Sequence, residues 1–288
     1  MQIRFGARIF AIVVSAFAIP ACAQGDSPAV NTPPAAAGAA SGPTYADYVS
    51  LSDKAGIVAV VRVADQAVVE AERSPGLARG YVRLYLEAQT EALIYGQSGL
   101  GGSLVFVADV PLAANGKAPK LKKQRMIVFA DTVPGNAGTL RLVRPDAILP
   151  ANPDTEAKTR AVAASLVKAD APPALTGIRD VISVAGNLAG ESETQMFVDT
   201  QGGAPVSLTV IRRPNMNPEW GVSWSEIVDQ SVRAPEKETL EWYRLACGLP
   251  RELPQDAYLQ ADRVSRARAA EDYAFILQQL GPCARTFN

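Results

Sequence analysis

Tyr81-Val82-Arg83-Leu84-Tyr85-Leu86-Glu87 alternates, though incompletely, between apolar and polar side chains. Alternation at period two is the mark of a strand with one face against a core. Runs of the same kind lie on either side. Ile57 to Val69 is dominated by Val and Ala, Ser103 to Val110 and Arg125 to Ala130 are β-branched or aromatic, and Thr139 to Val143 alternates again. Gly-rich or Pro-rich turns separate the five runs, which predicts a small antiparallel sheet or barrel within residues 44–150, an OB-like barrel being one candidate. Thr44 to Ala55 precedes them as a short helix with Tyr45, Tyr48, Val49 and Leu51 on its apolar side.

Beyond the fifth run the signals change. Asn152-Pro153-Asp154 starts a helix, with proline in the first helical position, and Pro172-Pro173 ends any continuation, so 151–173 reads as a connecting helix reaching about Lys168. The remainder, 174–288, reads as β-hairpin followed by helices. Thr194 to Thr200 and Val206 to Arg212 flank the turn Gln201-Gly202-Gly203-Ala204, and Trp220 to Val228 supplies an aromatic strand. A helix opens near Pro235 and closes at Gly248; a last one runs from about Leu259 to Leu280, with Val264, Ala267, Ala270, Ala274, Leu277 and Leu280 along one side. The expected class is therefore α+β and strand-rich, a small β-sheet or barrel followed by a sheet capped by C-terminal helices.

The first 23 residues read as a secretory signal peptide. Arg4 and Arg8 precede the apolar run Ile9 to Ile19, Pro20 breaks it, and Ala21-Cys22-Ala23 is a small-x-small cleavage site. The run is too short to span a bilayer as a helix. Cleavage before Cys22 instead would leave that cysteine acylated and the chain anchored as an outer-membrane lipoprotein. Residues 24–43, rich in Ala, Gly, Pro and Ser with one charge, read as a flexible linker. With 28 basic and 29 acidic side chains the protein has no electrostatic footprint for nucleic acid. Membrane contact would come only through an N-terminal lipid, and localisation would be periplasmic or secreted.

Histidine is absent from all 288 residues. That removes Ser-His-Asp and Cys-His nucleophiles and the usual imidazole-based zinc, copper and non-haem iron sites, and no cofactor is expected. An enzyme built from this chain would use carboxylates, Ser-Lys chemistry or a hard cation. Apart from Cys22, Cys247 and Cys283 remain, an even pair suited to a disulfide in an oxidising compartment. A bridge would close a loop of about 37 residues and contribute on the order of 3–4 kcal/mol; two buried thiols are the other reading.

Several stretches resemble an uncharacterised family of exported alphaproteobacterial proteins: Asp109 to Ala130, Ala185 to Thr200, Trp220 to Gln230, Leu240 to Leu253 and the ending Leu280-Gly281-Pro282-Cys283. The resemblance implies an exported protein with a disulfide near its C-terminus. It brings no activity, cofactor or substrate.

The remaining motifs each have a chemical and a plain reading. Ser165-Leu166-Val167-Lys168 matches the S-x-x-K of penicillin-binding proteins and some β-lactamases, the amine one helical turn from the hydroxyl, but it has no Ser-Asp-Asn or Lys-Thr-Gly partner and lies at a helix end, so an exposed helix face is the favoured reading. Asp199-Thr200-Gln201-Gly202 only approximates an aspartic-protease motif and reads as a hairpin turn; Gly96 to Gly102 reads as a strand connection. Lys117, Lys120, Lys122, Lys123 and Arg125 form a basic loop, an anion patch or simply a solvated turn. Glu191, Glu193, Glu219, Glu226 and Asp229 would form a carboxylate cluster if their strands were adjacent, for acid/base hydrolysis or Ca²⁺. Trp220 and Trp224 share strand parity, and with Trp242 are core or a binding face. The expectation is a non-catalytic envelope or periplasmic module that binds or scaffolds a protein or envelope ligand. The alternative is a histidine-free hydrolase of cell-wall or glycan substrate.

Overall fold

Two long strands set the architecture. β1 (Ile57–Val68) and β2 (Tyr81–Gly96) pair antiparallel along almost their whole length, with register shifts after Val58, Val60 and Val63. Each shift sharpens local twist and bends the ribbon, which helps the sheet curl toward closure. Over Ile57 to Arg62, β1 also pairs with β4 (Arg125–Val133). With β3 (Ser103–Pro111) and β5 (Asn136–Leu142) the order β1-β2-β3-β5-β4 returns to β1, a closed five-stranded barrel of OB-like order, and β6 (Ile148–Pro150) adds to the outer edge of β4. All pairings are antiparallel except β3 with β5, which run parallel and meet at a single register position, Val105 with Thr139. In this computed structural model the described residues are 42–96, 100–225 and 233–287; the leader, Cys22 and the linker to residue 41 lie outside them.

The barrel interior is filled from alternate positions: Leu84, Leu86 and Ala88 from β2, Leu104, Phe106 and Ala108 from β3, Leu140 and Leu142 from β5. Ile57 to Val61 and Met126 to Ala130 are buried on both faces, so these two runs read as continuous apolar sequence rather than as alternation. β2 extends nine residues past the alternating segment that marks it, because Ala88, Thr90 and Ala92 carry its inward side weakly.

α1 (Tyr45–Lys54) and α2 (Pro153–Leu166) start at capping boxes, Thr44 with Asp47 and Asn152 with Thr155. A second antiparallel sheet follows, ordered β10-β9-β8-β7: β7 (Leu175–Ala185), β8 (Ser192–Thr200), β9 (Val206–Arg212) and β10 (Glu219–Ser223). α3 (Leu240–Gly248) and α4 (Arg263–Leu280) complete the chain. Among the described residues no helix is long and apolar enough to cross a membrane.

Two helix expectations are corrected. α3 opens at Leu240 rather than near Pro235, since it is the Thr239 hydroxyl that accepts the Trp242 N–H and caps the helix. α4 turns a different side inward: Ala269, Asp272, Tyr273, Ile276 and Leu280 are buried, while Val264 is 70% exposed and Ala267, Ala270 and Ala274 face solvent. Alanine favours helix without demanding burial, and the buried side is chosen by Asp272, which accepts from Thr194 on β8 and, at 2.6 Å, from Arg212 on β9.

The C-terminal region is strapped down at several points. A disulfide joins Cys247 on α3 to Cys283 beyond α4. The Trp242 indole donates to the Leu280 carbonyl at 2.9 Å, and Arg244 holds Asp53 of α1 through two bonds of 2.6 and 2.9 Å. The last described residues reach α1, where Asp47 accepts the backbone N–H groups of Thr286 and Phe287 and the Thr286 hydroxyl.

Candidate functional site

The outward side of β2 and β3 carries apolar groups that the sheet does not cover. In register, Tyr81 stands opposite Pro111, Arg83 opposite Asp109, Tyr85 opposite Val107 and Glu87 opposite Val105. Tyr81, Tyr85 and Val107 are 37%, 39% and 42% exposed, although the same strands bury their alternate side chains almost completely. The two tyrosines share a face four residues apart, roughly 13 Å along the strand. Between them Arg83 grips Asp109 through paired bonds of 2.7 and 2.8 Å, so the strip is neutral at its centre.

A groove of about 490 Å³ runs beside this strip, along the seam between β3 and β5. The seam arises because the two strands pair only at Val105 and Thr139; farther along, the Asp109 N–H turns to the Pro145 carbonyl at 2.7 Å instead. Tyr85, Val105, Val107, Val133, Leu140 and Leu142 line the groove. Arg141 at its rim faces Asp131 at 3.5 Å. Apolar walls, two sheet edges paired at one register position and neutralised cations suit an extended, weakly charged chain. The sequence reading passed over this face: both tyrosines lie in the stretch that marks the strand, and its incomplete alternation was the available signal, since apolar residues occupied the outward positions too.

A larger cleft, about 670 Å³, lies among α1, α2 and the segment before α3. Ser165 and Lys168 both line it. The Ser165 hydroxyl donates to the Val162 carbonyl at 2.7 Å, three residues back, and Lys168 lies past the last residue of α2. Among the described residues no hydrogen bond links the two. Burial pushes the Tyr45 phenol in the same cleft above its ordinary range, against an opposing pull from the Ser165 hydroxyl.

The basic loop is divided. Arg125 bonds Glu91 at 2.6 Å and Glu156 at 2.7 Å, and Lys122 bonds Asp65 at 3.0 Å. Lys117, Lys120 and Lys123 are exposed, and Gln66 of β1 pins the loop by bonding Pro119, Leu121 and Lys122 through their backbone groups. Of the acidic residues, Glu193 and Glu219 share a register with Ile211 between them, two strand spacings or roughly 10 Å apart. Glu219 pairs with Arg213, Glu193 accepts from Gln195, and Glu191 accepts the N–H groups of Asn187 and Leu188 within its own turn. Glu226 and Asp229 lie outside the described residues. Among the described residues no three His, Cys, Asp or Glu side chains are grouped to hold a metal.

Asp199 to Gly202 leads through the β8–β9 turn, where Gly202 and Gly203 have positive φ and the Thr200 hydroxyl donates to the Ala204 carbonyl. Gly96 ends β2; residues 97–99 are outside the described set. Trp242 is buried, while Trp220 and Trp224 are half-buried against the core, and Trp224 lies one residue past β10. Compared with models of known protein families and with curated proteins, the sequence matches none.

Proposed function

We propose that this chain is an exported, non-catalytic binding module whose barrel captures an extended, largely apolar peptide segment of an envelope partner. The observation that carries the reading is the exposed strip of Tyr81, Tyr85 and Val107 beside the β3–β5 seam. An extended peptide can lay its backbone along a sheet edge and set alternate side chains into apolar hollows. Five-stranded Greek-key barrels bind extended polymers on the same strands, an analogy of fold alone. A phosphate polymer is disfavoured, because Arg83 and Arg141 already face Asp109 and Asp131.

Export is supported by the leader-like start and by the Cys247–Cys283 disulfide, which belongs to an oxidising, non-cytoplasmic setting. In this reading the leader is cut after Ala23 and the protein works in the periplasm or outside the cell; acylation of Cys22 would tether it to the outer membrane instead. Resemblance to exported proteins agrees with either route.

Selection of peptides from a random display library on the full mature chain tests the reading. Selected peptides should be apolar and extended, and should lose binding to Tyr85→Ala and to Val107→Glu while both variants keep the parent melting temperature within a few degrees. Peptides that bind these variants undiminished, or a glycan array giving the only specific signal, would reject it.

A further inference from the structure

The cleft among α1, α2 and the lead-in to α3 has chemistry of its own, separate from the barrel groove. Its volume, about 670 Å³, falls in the range of small-molecule sites. Tyr48 lines it with a side chain only 2% exposed, yet its hydroxyl makes no hydrogen bond among the described residues. Its oxygen is not among the sealed, unpaired polar atoms of the described residues, so it opens onto the cleft that the residue lines. Tyr45 supplies a second ring to the lining.

The rim is acidic. Asp170, Glu236, Glu238 and Glu241 all line the cleft, and none forms an ion pair among the described residues. Lys158 is held by Asp154 at 2.9 Å, which leaves Lys168 as the unpaired cation among the described lining residues. Glu238 acts on both Tyr45 and Lys158, so the acidic wall lies within electrostatic reach of the opposite side. An anionic ligand would meet this excess of carboxylates. A cation would gain from them and from the half-buried ring of Tyr45.

We propose that this cleft binds a small organic cation, an amine or quaternary ammonium compound, through the Glu236–Glu241 carboxylates with Tyr45 and Tyr48 beneath. The Tyr48 hydroxyl is free to accept from an amine, and the half-buried Tyr45 ring suits a quaternary centre that has no N–H to donate.

Calorimetric titration of the full mature chain with spermidine and, separately, with choline tests the proposal. At least one should bind saturably with one-to-one stoichiometry. The double variant Glu236→Gln/Glu238→Gln should weaken it about tenfold. Tyr48→Phe, which keeps the ring and its packing, should weaken spermidine about threefold. Glu219→Gln, on the second sheet, serves as the control and should change nothing. Absence of saturable binding by either amine would overturn the proposal. So would binding that survives the double variant, or equal binding of the neutral carbon isostere of choline.

Discussion

Asp47 shows how much a single side chain can hold. It lies in the first turn of α1, fully buried, and its two oxygens accept N–H groups from Thr44, Thr286 and Phe287 and the hydroxyls of Thr44 and Thr286. Burial alone would raise its pKa; the bonds from Thr286, Thr44 and Phe287 outweigh it and hold the carboxyl below the ordinary aspartate range. A group depressed in the folded state stabilises the fold above its unfolded pKa of about 3.9 and loses that contribution as pH falls through the lower folded value. Asp47→Asn is expected to cost about 2–3 kcal/mol at neutral pH and to flatten the acid side of the stability profile, read by urea unfolding from pH 7 down to pH 2. An unchanged acid limb would show that the strap carries no charge-dependent stability. The apolar side of Thr44 to Ala55 made this helix legible, but the partner of Asp47 sits about 240 residues away, and no local pattern encodes that meeting.

Among the elements, α4 gives the sharpest contrast between pattern and packing. Its stripe of small residues from Val264 to Ala274 faces water, while Ile276 is wholly buried and Asp272 is drawn inward by Thr194 and Arg212. Ile276→Ala should therefore cost about 2–5 kcal/mol, whereas Val264→Ala should stay within about 0.5 kcal/mol. Comparable losses from both in thermal or urea unfolding would restore the side expected from periodicity. The α3–α4 pair was legible as two helices with one cysteine at the end of the first and another just past the end of the second, and the bridge joins Cys247 to Cys283. Replacing both cysteines by alanine should lower stability by about 4 kcal/mol in the chain-entropy account of a loop of this length; a loss under about 1 kcal/mol would mean that the Arg244–Asp53 pair and the Trp242 indole hold the region by themselves. β2 teaches a different lesson. Its first seven residues declare a strand, but the outward tyrosines look like ordinary strand formers until register sets them beside Val107 and Pro111.

At the scale of the molecule, the order of a strand-rich front, a connecting helix and a sheet capped by helices followed from the chain's punctuation by Gly and Pro. Barrel closure did not, because it depends on β1 pairing with β4 over Ile57 to Arg62 while it also pairs with β2. The seam depends in turn on β5 meeting β3 in parallel at one position, a relation between strands roughly 35 residues apart that periodicity leaves open. Ser165 and Lys168 were visible as a motif, and the fold does place them in one cleft, with the serine hydroxyl already engaged by Val162. Incubation with a β-lactam should accordingly leave the intact mass unchanged; an adduct on Ser165 would favour the hydrolase reading. The most direct test of the binding role is hydrogen exchange on the full mature chain with and without a display-selected peptide. Protection should rise at Tyr81–Glu87, Val105–Asp109 and Thr139–Leu142; protection confined to the helical cleft or to the Lys117–Arg125 loop would contradict it.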